Sequence, residues 1–277
     1  MNQKRSDKTT TNIYARLIED IFRSRFRAGR ETVEFERADI EKTAKSMGIR
    51  LPKNLGDMIY SFRYRVELPQ SIRQLVPPGR QWIIRPVGRS RYSFASVALS
   101  VVAPNAMLAE TKLPDATPGI IDMYALSDEQ ALLAKLRYNR LVDIFTALTC
   151  QALQSHLRTT VSDIGQVETD EVYVGLEKRG AHYVLPVQAK SGRDRISIVQ
   201  IEQDIAMCRA KFPTLLCFPI AAQFAGKGLI AMFLFEEQTA DKAKSIRLVS
   251  EKHYRLVPPE DLKPEEIVGY RNRAAEV

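Results

Sequence analysis

Three cysteines, three histidines and one tryptophan among 277 residues leave little room for several common chemistries. Cys150, Cys208 and Cys217 are odd in number and lack C-x-x-C spacing, so they read as reduced core thiols of a cytoplasmic protein rather than a disulfide framework. His156, His182 and His253 are far apart in the chain and no H-E-x-x-H occurs, which removes the zinc-hydrolase pattern. No G-x-S-x-G or Walker A loop is present; Gly226-Lys227-Gly228 has the wrong spacing. Long hydrophobic runs are missing as well. The longest uncharged stretch, 92–109, is interrupted by Ser93, Ser96, Ser100, Pro104 and Asn105 and does not suit a bilayer as one helix. The opening residues MNQKRSDKTTT are polar, so no secretory signal is expected.

What remains is the composition of an ordinary globular protein, 45% hydrophobic and 27% charged, with length enough for about two domains. The net charge of +8 is unevenly distributed. Residues 1–100 carry 20 basic and 10 acidic side chains, a net of +10, and residues 101–277 carry 21 and 23, a net of −2. Such asymmetry points to an N-terminal part that meets a polyanion, with nucleic acid as the expected partner.

Residues 1–100 read as three helices and a hairpin. Ile13, Leu17, Ile18, Ile21 and Phe22 are spaced for a helix near 12–28. Ile40, Ala44 and Met47 share a face over 37–47, with Gly48 as a stop, and Leu55, Met58, Ile59 and Phe62 share a face over 52–65. The alternating runs beginning at Trp82 and Tyr92 flank a Gly-containing turn. This is the order of a winged-helix-like DNA-binding domain, in which the third helix enters the major groove and the hairpin touches the backbone. The expected DNA contacts are Lys53, Asn54, Arg63 and Arg65 on the third helix and Arg85, Arg89 and Arg91 on the wing.

Residues 101–126, with Pro104, Pro114 and Pro118, read as a linker to a second domain over 127–277. That domain opens on a capping box, Ser127 to Gln130, and a long helix running to about His156. A second capping box, Ser197 to Gln200, opens a helix to about Lys211. Apolar runs at 215–224, 229–237 and 246–257 complete an α/β order with a mixed sheet.

The chemistry sits between those helices. Val167–Leu176 and His182–Lys190 alternate as strands around the five-residue loop Glu177–Ala181, which contains Gly180. Pairing Leu176 with His182 sets Asp170 opposite Gln188 and Glu168 opposite Lys190, while Glu171 points to the other face. Pro186 within the second run suggests an edge or a bulge. An acid, an amide oxygen and an ammonium would thus converge. Hard oxygen donors suit Mg²⁺, which polarises a phosphate and acidifies a bound water, and a neighbouring lysine stabilises developing charge.

Asp170 followed by Gln188-Ala189-Lys190 at the end of an apolar strand resembles the PD-(D/E)XK nuclease superfamily, in particular type II restriction endonucleases. The resemblance spans roughly 127–225. It implies a restriction-endonuclease-like mixed sheet flanked by helices, with Asp170, Gln188 and Lys190 as the catalytic set. It also implies metal binding by Asp170, Gln188 and the Ala189 carbonyl, and a cofactor of Mg²⁺ for which Mn²⁺ can substitute. Double-stranded DNA is the implied substrate, and a homodimer would supply two centres for two strands. Two departures stand out: Thr169 replaces the proline before Asp170, and Gln188 is an amide where most members carry an acid, though some carry Q-x-K. Glu168, Asp143 or Asn139 are candidates for the missing oxygen. The other reading is a nuclease-like DNA-binding or regulatory protein without activity.

Overall fold

The computed structural model describes residues 3–52, 55–64, 66–98, 101–125, 129–162, 164–192, 194–240 and 243–275. Lys53, Asn54 and Arg65, and the first two residues of the capping box at 127, fall outside them.

The first lobe runs α1 (Gln3–Arg25), β1 (Thr32–Glu36), α2 (Arg37–Ser46), α3 (Leu55–Tyr64), α4 (Gln70–Arg73), β2 (Gln81–Gly88) and β3 (Arg91–Val97), with sheet order β1-β3-β2. Most of the apolar positions that predict the helices are buried, although Ile13 is exposed and Met47 only partly buried. Leu17, Ile18, Ile21 and Phe22 of α1 meet Ile40 and Ala44 of α2, Leu55, Met58, Ile59 and Phe62 of α3, and the strand residues Phe35, Trp82 and Phe94. Phe22 packs edge-on against both Trp82 and Phe94, at 5.1 and 5.0 Å between ring centroids. The strand β1 is not anticipated in the sequence; only Val33 and Phe35 face the core on an otherwise exposed pentapeptide.

The second lobe is three-layered. It comprises β4 (Val101–Val102), β5 (Glu110–Pro114), α5 (Gly119–Tyr124), α6 (Glu129–Tyr138), α7 (Leu141–Thr146), β6 (Thr149–Val161), β7 (Gly165–Leu176), β8 (His182–Lys190), β9 (Ile196–Ser197), α8 (Ile198–Lys211), β10 (Leu216–Cys217), β11 (Ile220–Gly226), β12 (Leu229–Ala240), β13 (Ala243–Val257) and α9 (Pro264–Ala275). The sheet order is β5-β13-β12-β11-β8-β7-β6, with β10 also on β8. The pairs β8–β11 and β13–β5 are parallel, and the remaining neighbours in that order are antiparallel. Leu132, Leu133 and Leu136 of α6 and Leu141 and Val142 of α7 cover one face of the sheet, against Leu185, Val187, Ile230 and Met232. On the other face, Ile198, Ile201 and Ile205 of α8 lie on Ala221, Ala231, Phe233 and Phe235, and Met207 and Cys208 lie on Val172 and Val184.

Two expectations are corrected. The stretch 101–126 is more than a linker: β4 pairs with β9, and β5 extends the large sheet beside β13, with Pro114 as its last residue and Pro118 at the start of α5. The long helix to His156 is instead two short helices and an edge strand. Arg140 and Ala147 adopt left-handed conformations, with φ of 51° and 57°, and each stops a helix. Leu153 and His156 then lie on β6, whose outward face is largely exposed; this weakens its two-residue alternation and lets the leucine spacing mimic a helix. Cys150, expected on a helix face, is buried at the start of β6.

The predicted β7–β8 hairpin is present, with Leu176 paired to His182, Glu171 paired to Val187, and Gly180 at φ 92° in the loop. Pro186 is tolerated inside the sheet because it sits where the neighbour of β8 changes from β10 to β11. Gly175 in β7 is a close-approach position. A Cβ there would lie 3.0 Å from Leu185 Cδ1, 3.2 Å from Leu148 Cδ1 and 3.3 Å from Cys150 Sγ. Gly175→Ala is expected to lower stability by about 1–3 kcal/mol through overpacking, measured by thermal or urea denaturation; unchanged stability would show that these neighbours yield freely.

Candidate active site

Register between β7 and β8 ends at Glu171–Val187, and beyond it the strands part. Ala189 N–H, two residues on, donates to Asp170 Oδ2 at 2.8 Å. β8 keeps its course because its other edge is paired to β11, Ala189 to Ala222 and Lys190 to Gln223. The gap opens at the carboxyl end of β8, where the chain turns toward α8, the position at which α/β sheets present ligand sites.

Lys190, Glu129, Asp170 and Gln188 gather there. Lys190 is largely buried, and its Nζ lies 3.1 Å from Glu129 Oε1, at the start of α6. Asp170 is within electrostatic reach of Lys190, Glu129 and His156. Burial raises its carboxyl pKa, and Lys190 and the Ala189 N–H partly offset that rise. Gln188 is buried and directs its amide nitrogen away from the gap, to the Glu168 carbonyl at 3.1 Å and to Asp204 Oδ2 at 3.0 Å. Its Oε1 faces Gln200 Nε2 at 3.4 Å. Asp204, on α8, has no solvent exposure and also accepts from Thr169 Oγ1 at 2.5 Å. Burial pushes its pKa up to about 7 despite those two hydrogen bonds.

The proposed sources of an extra oxygen fall into separate roles. Glu168 lines the cleft, but its carboxylate pairs with Arg158 at 2.8 Å, so the expected contact with Lys190 is replaced by Glu129. Asp143 accepts from Cys150 N–H at 2.9 Å and pairs with Arg140. Asn139 accepts from Ala116 N–H at 2.7 Å and donates to Thr117. Both brace the α6–α7 region and do not line the cleft. Glu171, on the opposite face as expected, is fully buried against Arg137 and the Tyr173 hydroxyl.

The site residues line a cleft of about 950 Å³ whose far wall is α3. Asp170, Gln188, Lys190, Glu129 and Gln200 face Asp57, Tyr60, Arg63 and Tyr64 across it, with Arg195 at its rim. The lobes are clasped by Tyr64 Oη donating to Gln203 Oε1 at 2.7 Å, by a two-pronged Arg85–Glu202 pair with Nε at 2.7 Å, and by Arg195–Glu67 at 3.1 Å. Of the predicted DNA contacts, Arg63 thus faces the site, with its guanidinium carbon 4.8 Å from the Tyr64 ring centroid. Arg85 is engaged in the clasp rather than presented on a free wing. Arg91 pairs with Glu34 at 3.2 Å, and Arg89 is exposed at the tip of the hairpin.

Glu129, Asp204 and His156 are the residues that sequence reasoning missed. Asp204 left a signal: it falls between Ile201 and Cys208 on the apolar face of its helix, where an acid has no place without a partner. Glu129 is readable only as a helix cap. His156 stands in a left-handed conformation, φ 49°, unusual for a non-glycine within a strand.

Comparison with known proteins matches no family model, no curated protein and no solved structure. The geometry therefore stands alone.

Asp204 makes stability depend on pH. A carboxyl raised above its unfolded value holds its proton in the folded state, so stability falls as pH rises through about 4 to 7. Asp204→Asn removes that loss. Its unfolding free energy relative to the wild type, from urea denaturation, is expected to be higher at pH 8 than at pH 5 by on the order of a few kcal/mol; equal offsets at both pH values would exclude a raised carboxyl.

Proposed function

We propose that the chain is a metal-dependent endonuclease that hydrolyses phosphodiester bonds of double-stranded DNA, with a restriction-endonuclease-like core and a winged-helix-like DNA-binding lobe. The observation that carries this reading is the meeting of Asp170, Gln188 and Lys190 where β7 and β8 part. The order α1-β1-α2-α3-α4-β2-β3 with sheet order β1-β3-β2, three main helices followed by a hairpin, supports the DNA-binding lobe, as does the excess of basic residues in 1–100. The helix–sheet–helix core supports the catalytic lobe.

The donor chemistry fits Mg²⁺. No group of three His, Cys, Asp or Glu side chains suited to a metal occurs among the described residues, which disfavours a closed zinc-type cage. One carboxylate and one carboxamide oxygen beside a main-chain carbonyl suit a cation that keeps waters and shares a phosphate. Asp170, Gln188 Oε1 and the Ala189 carbonyl would hold it. Bound there, the ion supplies charge neutralisation at the phosphate and acidifies a coordinated water.

The protein does the rest. Lys190, held by Glu129, places an ammonium beside the gap, where charge develops on phosphorus. Burial of Lys190 and Gln188 limits water around that charge and strengthens its field. Across the cleft, Arg63 offers a charge to the phosphate backbone, so a strand bound along α3 lies within reach of the site.

Incubation with plasmid and phage DNA in Mg²⁺ or Mn²⁺, with end-sequencing of fragments, tests the reading. Cleavage is expected in the wild type and a loss of at least about 100-fold in Lys190→Ala, with DNA binding retained. Binding without cleavage in either metal would favour the inactive DNA-binding protein. Arg63→Ala and Arg89→Ala are each expected to weaken DNA binding roughly fivefold and to lower its salt dependence by about one counterion. Unaltered binding in both, by fluorescence anisotropy across salt concentrations, would overturn the assignment of the first lobe.

A further inference from the structure

Asp204 takes no part in that mechanism, and nothing in the cleft can touch it, because its carboxylate has no exposed surface. It lies among Ile201, Ile205, Met207 and Cys208, and no ion pair reaches it among the described residues. Burying an acid there is costly unless its polar atoms are hydrogen-bonded. It holds two groups, the Thr169 hydroxyl and the Gln188 amide.

A carboxamide is ambiguous in a cation site. Turned one way it offers an oxygen; turned the other, it points two N–H bonds at the ion. In Gln188 both N–H bonds are taken, one by Asp204 Oδ2 and one by the Glu168 carbonyl. The reversed orientation would set Oε1 against the Glu168 carbonyl oxygen, a repulsive contact in a buried environment, and would give up the N–H bond to Asp204.

We propose that Asp204 is a positioning residue for Gln188, fixing the carboxamide so that only its oxygen faces the cleft. The inference rests on the metal-dependent reading of the site. It explains how an amide serves where an acid would bind more simply: its oxygen is held in one orientation by an acceptor on α8. Partners that orient a metal ligand from behind change affinity by about 10–100-fold when removed.

The test is Mn²⁺ affinity of the full chain by electron paramagnetic resonance, with melting temperature as the control for folding. Asp204→Ala is expected to weaken Mn²⁺ binding about tenfold. Asp204→Asn keeps an acceptor for Gln188 and a donor for Thr169, and is expected to stay within about threefold. In a Gln188→Ala background, Asp204→Ala is expected to change affinity by less than about twofold, because its effect passes through the missing amide. If Asp204→Ala melts below the assay temperature, Asp204→Leu fills the volume without an acceptor and carries the same expectation. Unchanged affinity in Asp204→Ala, or an equal loss with and without Gln188, overturns the positioning role. Wild-type protein that binds no Mn²⁺ removes the cation site and the inference together. Mn²⁺ binding that follows the expected pattern without DNA cleavage overturns the nuclease reading alone.

Discussion

Two antiparallel strands stop pairing after Glu171 and Val187, and the candidate site depends on that parting. A main-chain N–H that loses its ladder partner inside a protein must find another acceptor. Ala189 finds the carboxylate of Asp170, which ties the two strand ends together across the gap and pins Asp170 at the mouth of the site. The gap is held open from one side only. On the other, β8 remains paired to β11 through Lys190, so the last residues of β8 are rigid where they meet the cleft.

Helix α8 is the second constraint. Gln200 approaches the Gln188 oxygen, Glu202 pairs with Arg85, Gln203 accepts from Tyr64, and Asp204 holds Gln188 and Thr169. Within five residues one helix supports the site from below and docks the first lobe above it. A displacement of α8 would therefore disturb the orientation of Gln188 and the seating of α3 together. Burial raises the carboxyls of Asp170, Glu202 and Asp204 alike, so ionisable groups in this region are kept at some expense of stability.

Much of the local structure is legible in the sequence. The inward faces of α2 and α3 follow the 3.6-residue period, and the five-residue loop with Gly180 fixes the register of the β7–β8 hairpin. Ser197 caps α8 as expected, although Gln200 turns to Gln188 instead of closing the box. The failures share a cause. Leu133, Leu136, Leu141 and Leu148 keep helical spacing through two left-handed residues, and the exposed edge strand β6 shows no clear alternation to contradict them. The pentapeptide 110–114 lacks an apolar face because it lies at the margin of the sheet, covered in part by Tyr270 of α9.

By itself the sequence determined the β7–β8 hairpin and its register from Leu176–His182 to Glu171–Val187, which brings the ends carrying Asp170, Gln188 and Lys190 to one side of the sheet; the expected pairs Asp170–Gln188 and Glu168–Lys190 do not form, because the strands part before them. Only the tertiary structure decided that Glu129 would hold the lysine, that Asp204 would hold the amide, and that α3 would form the opposite wall. Those three come from three different helices, and their approach depends on how apolar faces stack on the sheet, a choice that no local spacing encodes.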